Sequence, residues 1–135
     1  MQTLRTNELP LRAEEDMVRV RQAARSAATE VGLSLVDQTK LVTAASELAR
    51  NTVIYGGGGT ARVEIVERSG RRGVRIAFED HGPGIPDLQL ALQDGYTTGS
   101  GLGLGLSGAK RLCNEFDLRS EAGKGTTVVI TRWKG

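Results

Sequence analysis

Residues 99–108 read GSGLGLGLSG, a run in which glycine alternates with serine or leucine directly before a helical pattern. Glycine lets backbone N–H groups approach an anion closely, and the N-terminus of a helix adds a positive partial charge. The interleaved leucines argue against a flexible linker, which is typically rich in glycine and serine. We therefore predict that this run is a phosphate-binding loop that opens a helix.

The run 99–108 matches the sequence motifs of other known phosphate-binding loops poorly. Gly103, Gly105 and Gly108 have the spacing of the dinucleotide fingerprint, but no strand precedes them within a β-α-β unit of ~30 residues. The chain has no Gly-Lys-Ser or Gly-Lys-Thr, which excludes a Walker loop. It also lacks the Val-Ala-Ile-Lys, His-Arg-Asp and Asp-Phe-Gly set of eukaryotic protein kinases.

The composition excludes several classes of protein. The chain has 135 residues, a formal net charge of +2, one cysteine and one histidine. This length predicts a single domain over residues 1–135. The small charge and the few aromatic side chains argue against a nucleic-acid partner. The single cysteine and histidine exclude an internal disulfide and a cysteine- or histidine-rich metal site. Because no apolar run approaches the ~20 residues of a membrane helix, we expect a cytoplasmic protein without a membrane partner.

Hydrophobic periodicity predicts helices on one face of a mostly antiparallel sheet, which is an α+β arrangement. A further strand over 117–121 is left open, and the glycine cluster 56–59 is interpreted only as a helix stop. The predicted elements are a strand over 2–9 bounded by Pro10, a helix from Glu14 to Gly32, a helix from Ser34 to the cluster 56–59, two paired strands around 61–65 and 74–78, a short helix over 87–93, a helix over 106–116 and a strand around 128–130.

Glu47 and Asn51 lie four residues apart, so they share one face of the second predicted helix beside its apolar stripe. A carboxylate there can act as a base, and an amide oxygen suits Mg²⁺, which prefers hard oxygen ligands. The alternative is an ordinary polar edge of a helix.

Asp80 falls on the buried face of its predicted strand, because it keeps the alternating phase of Val74. A buried carboxylate requires a partner or a ligand, since an unpaired buried charge is costly. Gly82 and Gly84, with their neighbouring prolines, then predict a tight loop. One interpretation is a carboxylate that accepts a hydrogen bond from an amino group such as that of adenine. The other is an Asp-Gly turn that ends a strand.

Gly123 and Gly125 predict a β-turn before the last strand. Thr126 shares the phase of Val128, so its hydroxyl is expected to point inward. Taken alone, such a turn is common.

The order and spacing of these motifs are more specific than any one of them. A Glu-x-x-x-Asn pair, an Asp-x-Gly-x-Gly loop, a Gly-x-Gly-x-Gly loop and a Gly-x-Gly-Thr turn follow one another. The series resembles that of the GHKL ATPase superfamily and covers roughly residues 30–135. The runs ELARN, DHGPGIPD and DGYTTGSGLGLGLSGAKRL are most similar to those of bacterial serine kinases of the anti-sigma type.

The resemblance implies the Bergerat fold, a two-layer sandwich with helices on one face of a mixed, mostly antiparallel sheet and ATP between the layers. It assigns Mg²⁺ to Asn51, the role of general base to Glu47 and the adenine amino group to Asp80. Residues 87–100 would form a short lid over the nucleotide. Further nucleotide contacts are implied for Gly82, Gly84, Thr98, Gly101, Leu102, Gly103, Leu104, Gly105 and Thr126.

The resemblance also implies a serine/threonine protein kinase that phosphorylates a STAS-domain antagonist in a stress-response partner-switching pathway. Direct activation of a phosphatase is a further implied role, and a homodimer or a large complex is the implied assembly. The main alternative is an anti-sigma factor that sequesters a sigma factor, and a second is a module whose bound nucleotide only gates a partner. A histidine kinase needs a phosphoacceptor histidine on a separate helix, whereas His81 lies in the loop after Asp80.

Overall fold

The computed structural model describes residues 1–85 and 104–135. The predicted short helix at 87–93 lies outside these residues. No helix in the described ranges has the length and apolar character needed to cross a membrane. The elements are β1 (Gln2–Leu11), α1 (Glu14–Val31), α2 (Leu35–Ile54), β2 (Gly59–Arg68), β3 (Arg71–Asp80), α3 (Leu104–Leu112), β4 (Glu115–Glu121) and β5 (Gly125–Trp133).

The strands form one sheet in the order β1-β2-β3-β5-β4. Helices α1 and α2 pack against each other and against the sheet, and α3 packs against α2. The predicted α+β architecture is therefore confirmed, and the strand left open over 117–121 is present as β4. The sheet was expected to be mixed and mostly antiparallel, and all four pairings in the described residues are antiparallel.

The carboxylate of Asp16 closes the N-terminus of α1. Its Oδ2 atom accepts hydrogen bonds from the backbone N–H groups of Arg12 (2.8 Å) and Ala13 (3.2 Å). The bond from Ala13, the N-cap residue, satisfies a donor that helix geometry leaves unpaired, and the bond from Arg12 fixes the chain just before the helix. The bond from Arg12 is the main cause that lowers the pKa of Asp16 below its ordinary value. The helix ends as predicted, where Gly32 takes a φ of 90°.

Helix α2 begins at the predicted serine cap. The Oγ atom of Ser34 accepts a hydrogen bond from the N–H group of Asp37 at 3.1 Å. The helix ends at Ile54, and the chain then turns through Gly57 (φ 75°) and Gly58 (φ 103°). Its predicted apolar stripe is buried and includes Leu41, Ala44, Ala45 and Leu48.

Two predicted boundaries were wrong. Pro10 does not end the first strand, because β1 continues to Leu11. Since β1 lies at the edge of the sheet, a proline can be accommodated with its missing N–H group facing away from the neighbouring strand. Phe116 belongs to β4, because α3 ends at Leu112. Its apolar side chain still packs against the core, so helical spacing alone gave the wrong element.

The side chain of Arg132 connects β5 to two helices. Its Nη1 atom donates to the carbonyl of Leu112 at the end of α3 (3.0 Å), and its Nη2 atom donates to the carboxylate of Asp37 in the first turn of α2 (2.7 Å). A cation at a helix C-terminus and an acidic residue at a helix N-terminus are both favourable. Because the Arg132 side chain is only 15% exposed, the connection helps to hold α2 and α3 in position.

Replacing Leu41 with alanine should strongly destabilise the protein, because this α2 side chain is fully buried. Such changes in a core cost about 2–5 kcal/mol in the free energy of unfolding. The matched control is Leu35→Ala on the same helix, where the side chain is 72% exposed and the change should stay within about 0.5 kcal/mol. Urea denaturation followed by the fluorescence of Trp133 measures both. Equal losses at the two positions would contradict the packing.

Candidate functional site

A cavity of about 310 Å³ is bordered by α2, the end of β3, α3 and β5. Its wall is largely apolar and carries a few polar groups, as is typical of a small-molecule site. The cavity includes Asn51, Asp80 and Thr126, which the sequence predicted from three separate motifs. Its lining residues are Leu48, Asn51, Thr52, Tyr55, Gly56, Phe78, Asp80, Pro83, Gly84, Ile85, Leu106, Thr126 and Val128.

The carboxylate of Asp80 is held by two backbone N–H groups at the end of β3. Its Oδ1 atom accepts hydrogen bonds from the N–H of Gly82 at 2.9 Å and from the N–H of Thr126 at 3.2 Å. Both donors contact Oδ1, so within the described residues Oδ2 is left as an acceptor for a ligand.

A hydroxyl pair connects Thr126 to the loop after β3. The Oγ atom of Ser120 accepts a hydrogen bond from the N–H of Ile85 at 2.7 Å and donates to the carbonyl of Gly125 at 3.2 Å. The Oγ1 atom of Thr126 lies 2.8 Å from the same Ser120 oxygen. Either hydroxyl can be the donor in this pair. In both cases the hydroxyl of Thr126 is held in place where the residue lines the cavity.

Close backbone approaches hold the loop after β3 against the β4–β5 turn. The N–H of Gly123 donates to the carbonyl of Pro83 at 2.9 Å. Gly84 has a φ of 77°, and a Cβ atom there would lie 2.5 Å from the carbonyl oxygen of Glu121. Any side chain at Gly84 would therefore separate the loop from the turn. The loop after β3 thus lines the cavity, and the predicted glycine turn packs against this loop.

Asn51 lies on α2 and is one of the residues that line the cavity. The Nδ2 atom is buried and has no hydrogen-bond partner among the described residues. Leaving a buried polar group unpaired costs about 1–3 kcal/mol, so this atom indicates a ligand. The described residues contain no group of three or more histidine, cysteine, aspartate or glutamate side chains suited to a metal ion. An amide oxygen is nevertheless a hard ligand that suits Mg²⁺, and substrate phosphates and waters usually supply other ligands of this ion.

The remaining predicted site residues are only partly placed. Glu47 is half-buried on α2, one turn before Asn51, and is not among the lining residues of the cavity. Gly82 acts through its N–H group and does not line the cavity either. Thr98, Gly101, Leu102 and Gly103 lie outside the described residues. Leu104 and Gly105 begin α3, and the structure describes only the backbone of these two residues.

Sequence reasoning missed Ser120, Tyr55 and Gly56. Ser120 lies in a strand whose polar sequence suggests an exposed position. Its role depends on the pairing of β4 with β5, which places Ser120 opposite Thr126. Gly56 was interpreted only as a helix stop, but it lines the cavity beside Tyr55. Four consecutive glycines are more than a helix end requires, and that excess was the available signal.

Residues 36–134 match the family described as histidine kinase-, DNA gyrase B- and HSP90-like ATPases. The matched range contains α2, β3 and β5, which supply the polar groups of the cavity. The chain belongs to this ATPase family. The GHKL resemblance is thereby confirmed, and membership implies that the domain uses ATP. The cavity is the candidate nucleotide site of this ATPase domain.

Three individual proteins are similar to most of this chain. Serine/threonine-protein kinase RsbT of Bacillus subtilis (strain 168) is 48% identical over 120 residues, which are 89% of this chain and 90% of that protein. The anti-sigma F factor of Geobacillus kaustophilus (strain HTA426) is 30% identical over 125 residues, 87% of this chain and 83% of that protein. The anti-sigma F factor of Geobacillus stearothermophilus is 31% identical over 101 residues, 70% of this chain and 68% of that protein.

Asp80→Asn should weaken ATP binding by at least ~100-fold, about 2.7 kcal/mol. The amide has one oxygen, which the N–H groups of Gly82 and Thr126 already occupy, so its NH₂ group would meet a ligand donor. The matched control is Asp117→Asn on β4, where the carboxylate is 58% exposed and ATP binding should not change. Titration calorimetry measures both variants. Wild-type affinity in Asp80→Asn would exclude this carboxylate from the nucleotide site.

Proposed function

We propose that this protein is an ATP-dependent serine/threonine protein kinase whose substrate is a STAS-domain antagonist in a stress-response partner-switching pathway. The observation that carries the proposal is one cavity in which Asn51, Asp80 and Thr126 converge. That cavity belongs to an ATPase-family chain that is 48% identical to a protein named serine/threonine-protein kinase.

Adenine fits the apolar part of the cavity. Phe78, Ile85 and Val128 line the cavity with apolar side chains, which suit the faces of a purine ring. In the proposed pose the Oδ2 atom of Asp80 accepts a hydrogen bond from the adenine amino group, and the Thr126 hydroxyl lies close by. A hydrogen bond inside a protein is stronger than one in water. The pocket would therefore select a base that carries an amino group.

The phosphates are assigned to the glycine-rich run 99–108 that leads into α3. Backbone N–H groups of Gly101, Gly103 and Gly105, together with the start of α3, would hold the phosphate oxygens. Asn51 would hold Mg²⁺ through its amide oxygen, and its unpaired amide nitrogen could donate to a phosphate. When bound, Mg²⁺ neutralises the negative charge that develops on the transferred phosphoryl group.

Phosphoryl transfer depends mainly on positioning and charge neutralisation. In the proposed reaction the substrate hydroxyl oxygen forms a bond to the γ-phosphorus, and the bond from that phosphorus to the β–γ bridging oxygen breaks. ADP leaves, and the hydroxyl proton passes to the carboxylate of Glu47. Helix α2 carries both Glu47 and Asn51 on one face, so a single rigid element would align the base and the phosphates.

An anti-sigma factor is the second candidate. Two relatives named anti-sigma F factor support it, but their identities of 30% and 31% are below the 48% of the kinase relative. The proposal also includes direct activation of a phosphatase, assembly as a homodimer or a larger complex, and a cytoplasmic location.

Glu47→Gln should retain ATP binding and lose most phosphoryl transfer, because glutamine cannot accept the hydroxyl proton. General-base contributions are typically 10²- to 10⁴-fold, so we expect a loss of at least ~100-fold in rate. The control is Glu30→Gln on α1, where the carboxylate is 51% exposed. Single-turnover transfer from labelled ATP measures the rate, and calorimetry measures binding. An unchanged rate would show that Glu47 is not the base.

Substrate choice is tested with purified protein, labelled ATP and candidate STAS-domain proteins, beside a sigma-factor pull-down. We expect label on a serine or threonine of a STAS protein, much slower labelling by the Glu47→Gln variant, and no stable sigma-factor complex. Stable sigma binding without phosphorylation of any STAS protein would select the anti-sigma function instead. Label on a STAS protein that forms equally well with Asp80→Asn, the variant expected to bind ATP poorly, would indicate a contaminating kinase.

A further inference from the structure

Gly56 is the second residue after α2, and it packs directly against the side chain of Asp80. A Cβ atom built on Gly56 would lie 2.5 Å from Cγ, 2.5 Å from Oδ2 and 2.6 Å from Cβ of Asp80. Real Cβ atoms do not approach neighbours this closely. The bare Cα of Gly56 is therefore what allows the carboxylate to occupy its observed place beside the cavity.

A change of rotamer at Asp80 cannot relieve this contact. Rotation about χ1 moves Cγ and Oδ2, but the Cβ atom of Asp80 stays where the backbone of β3 places it. The backbone around Gly56 is held as well, because a Cβ atom on Gly82 would lie 2.6 Å from the Gly56 carbonyl oxygen. The end of α2 and the loop after β3 are thus in backbone-to-backbone contact.

The backbone of Asp80 is also closely packed. A Cβ atom on Gly125 would lie 2.1 Å from the carbonyl oxygen of Asp80. Asp80 is thus contacted at its side chain by Gly56 and at its carbonyl by Gly125. A side chain added at Gly56 would displace the Asp80 carboxylate and strain its hydrogen bonds to the N–H groups of Gly82 and Thr126.

We propose that Gly56 is a positioning residue for base recognition. Its lack of a side chain sets the position of the Asp80 carboxylate. The position of that carboxylate in turn determines whether the pocket distinguishes a purine with an exocyclic amino group from a purine without one. The proposal rests on the proposed function, because it takes adenine as the group that Asp80 recognises. The proposal gives a role in the site to a residue that the sequence motifs identified only as a helix stop.

The test compares ATP with purine riboside triphosphate, which lacks the amino group. Titration calorimetry is applied to the wild type, Gly56→Ala and Gly57→Ala. Gly57 is the matched control, because a Cβ atom there meets nothing within 4 Å although its φ of 75° strains any side chain. We expect Gly56→Ala to bind ATP at least tenfold more weakly and to lose the preference for ATP over the analogue. Gly57→Ala should keep the preference.

A stability cycle provides a second readout and covers a failure of Gly56→Ala to fold. The four proteins are the wild type, Gly56→Ala, Asp80→Gly and the double variant. Because the three nearest atoms to the added Cβ all belong to the Asp80 side chain, Gly56→Ala should destabilise the wild type and have much less effect in the Asp80→Gly background. Equal losses in the two backgrounds would overturn the proposal.

The outcomes separate the two proposals. A wild type that prefers ATP over the analogue, with the same preference in Gly56→Ala, overturns the role of Gly56 alone. A wild type that binds ATP but shows no preference for the amino group overturns both adenine recognition by Asp80 and the role of Gly56. A wild type that does not bind ATP overturns the proposed function together with this inference.

Discussion

The carboxylate of Asp80, held through Oδ1 by two backbone N–H groups, is the contact on which the rest of the site depends. The end of α2, the loop after β3 and the turn before β5 meet around this residue. Gly56 lies against the Asp80 side chain, Gly82 lies against the backbone of Gly56, and Gly125 lies against the Asp80 carbonyl. Three of the glycines therefore serve close packing around one acid.

The larger fold keeps these segments in place. The antiparallel order β1-β2-β3-β5-β4 puts β3 and β5 side by side, so Asp80 lies directly opposite Thr126. The apolar layer of α1 and α2 covers the sheet, and Arg132 connects the first turn of α2 to the end of α3. The two helices that would supply the base, the metal ligand and the phosphate loop are therefore fixed to the same strand.

Much of this was predictable because the signals are local. The caps at Ser34 and Gly32, the paired strands and the turn at Gly123 depend on residues within a few positions of one another. Predictions failed where a neighbour in space decided the outcome. Pro10 is tolerated because β1 is an edge strand, and Phe116 suits helix and strand patterns equally until the pairing of β4 with β5 is known.

The sequence by itself determined the class of the fold, the family motifs and the candidate residues Glu47, Asn51, Asp80 and Thr126, because these follow from spacing along the chain. Only the tertiary structure decided which glycines serve the site and that Ser120 supports Thr126. The reason is physical. A glycine that stops a helix and a glycine that makes room for a carboxylate look identical in sequence, and they differ only in what lies within 3 Å of the missing side chain.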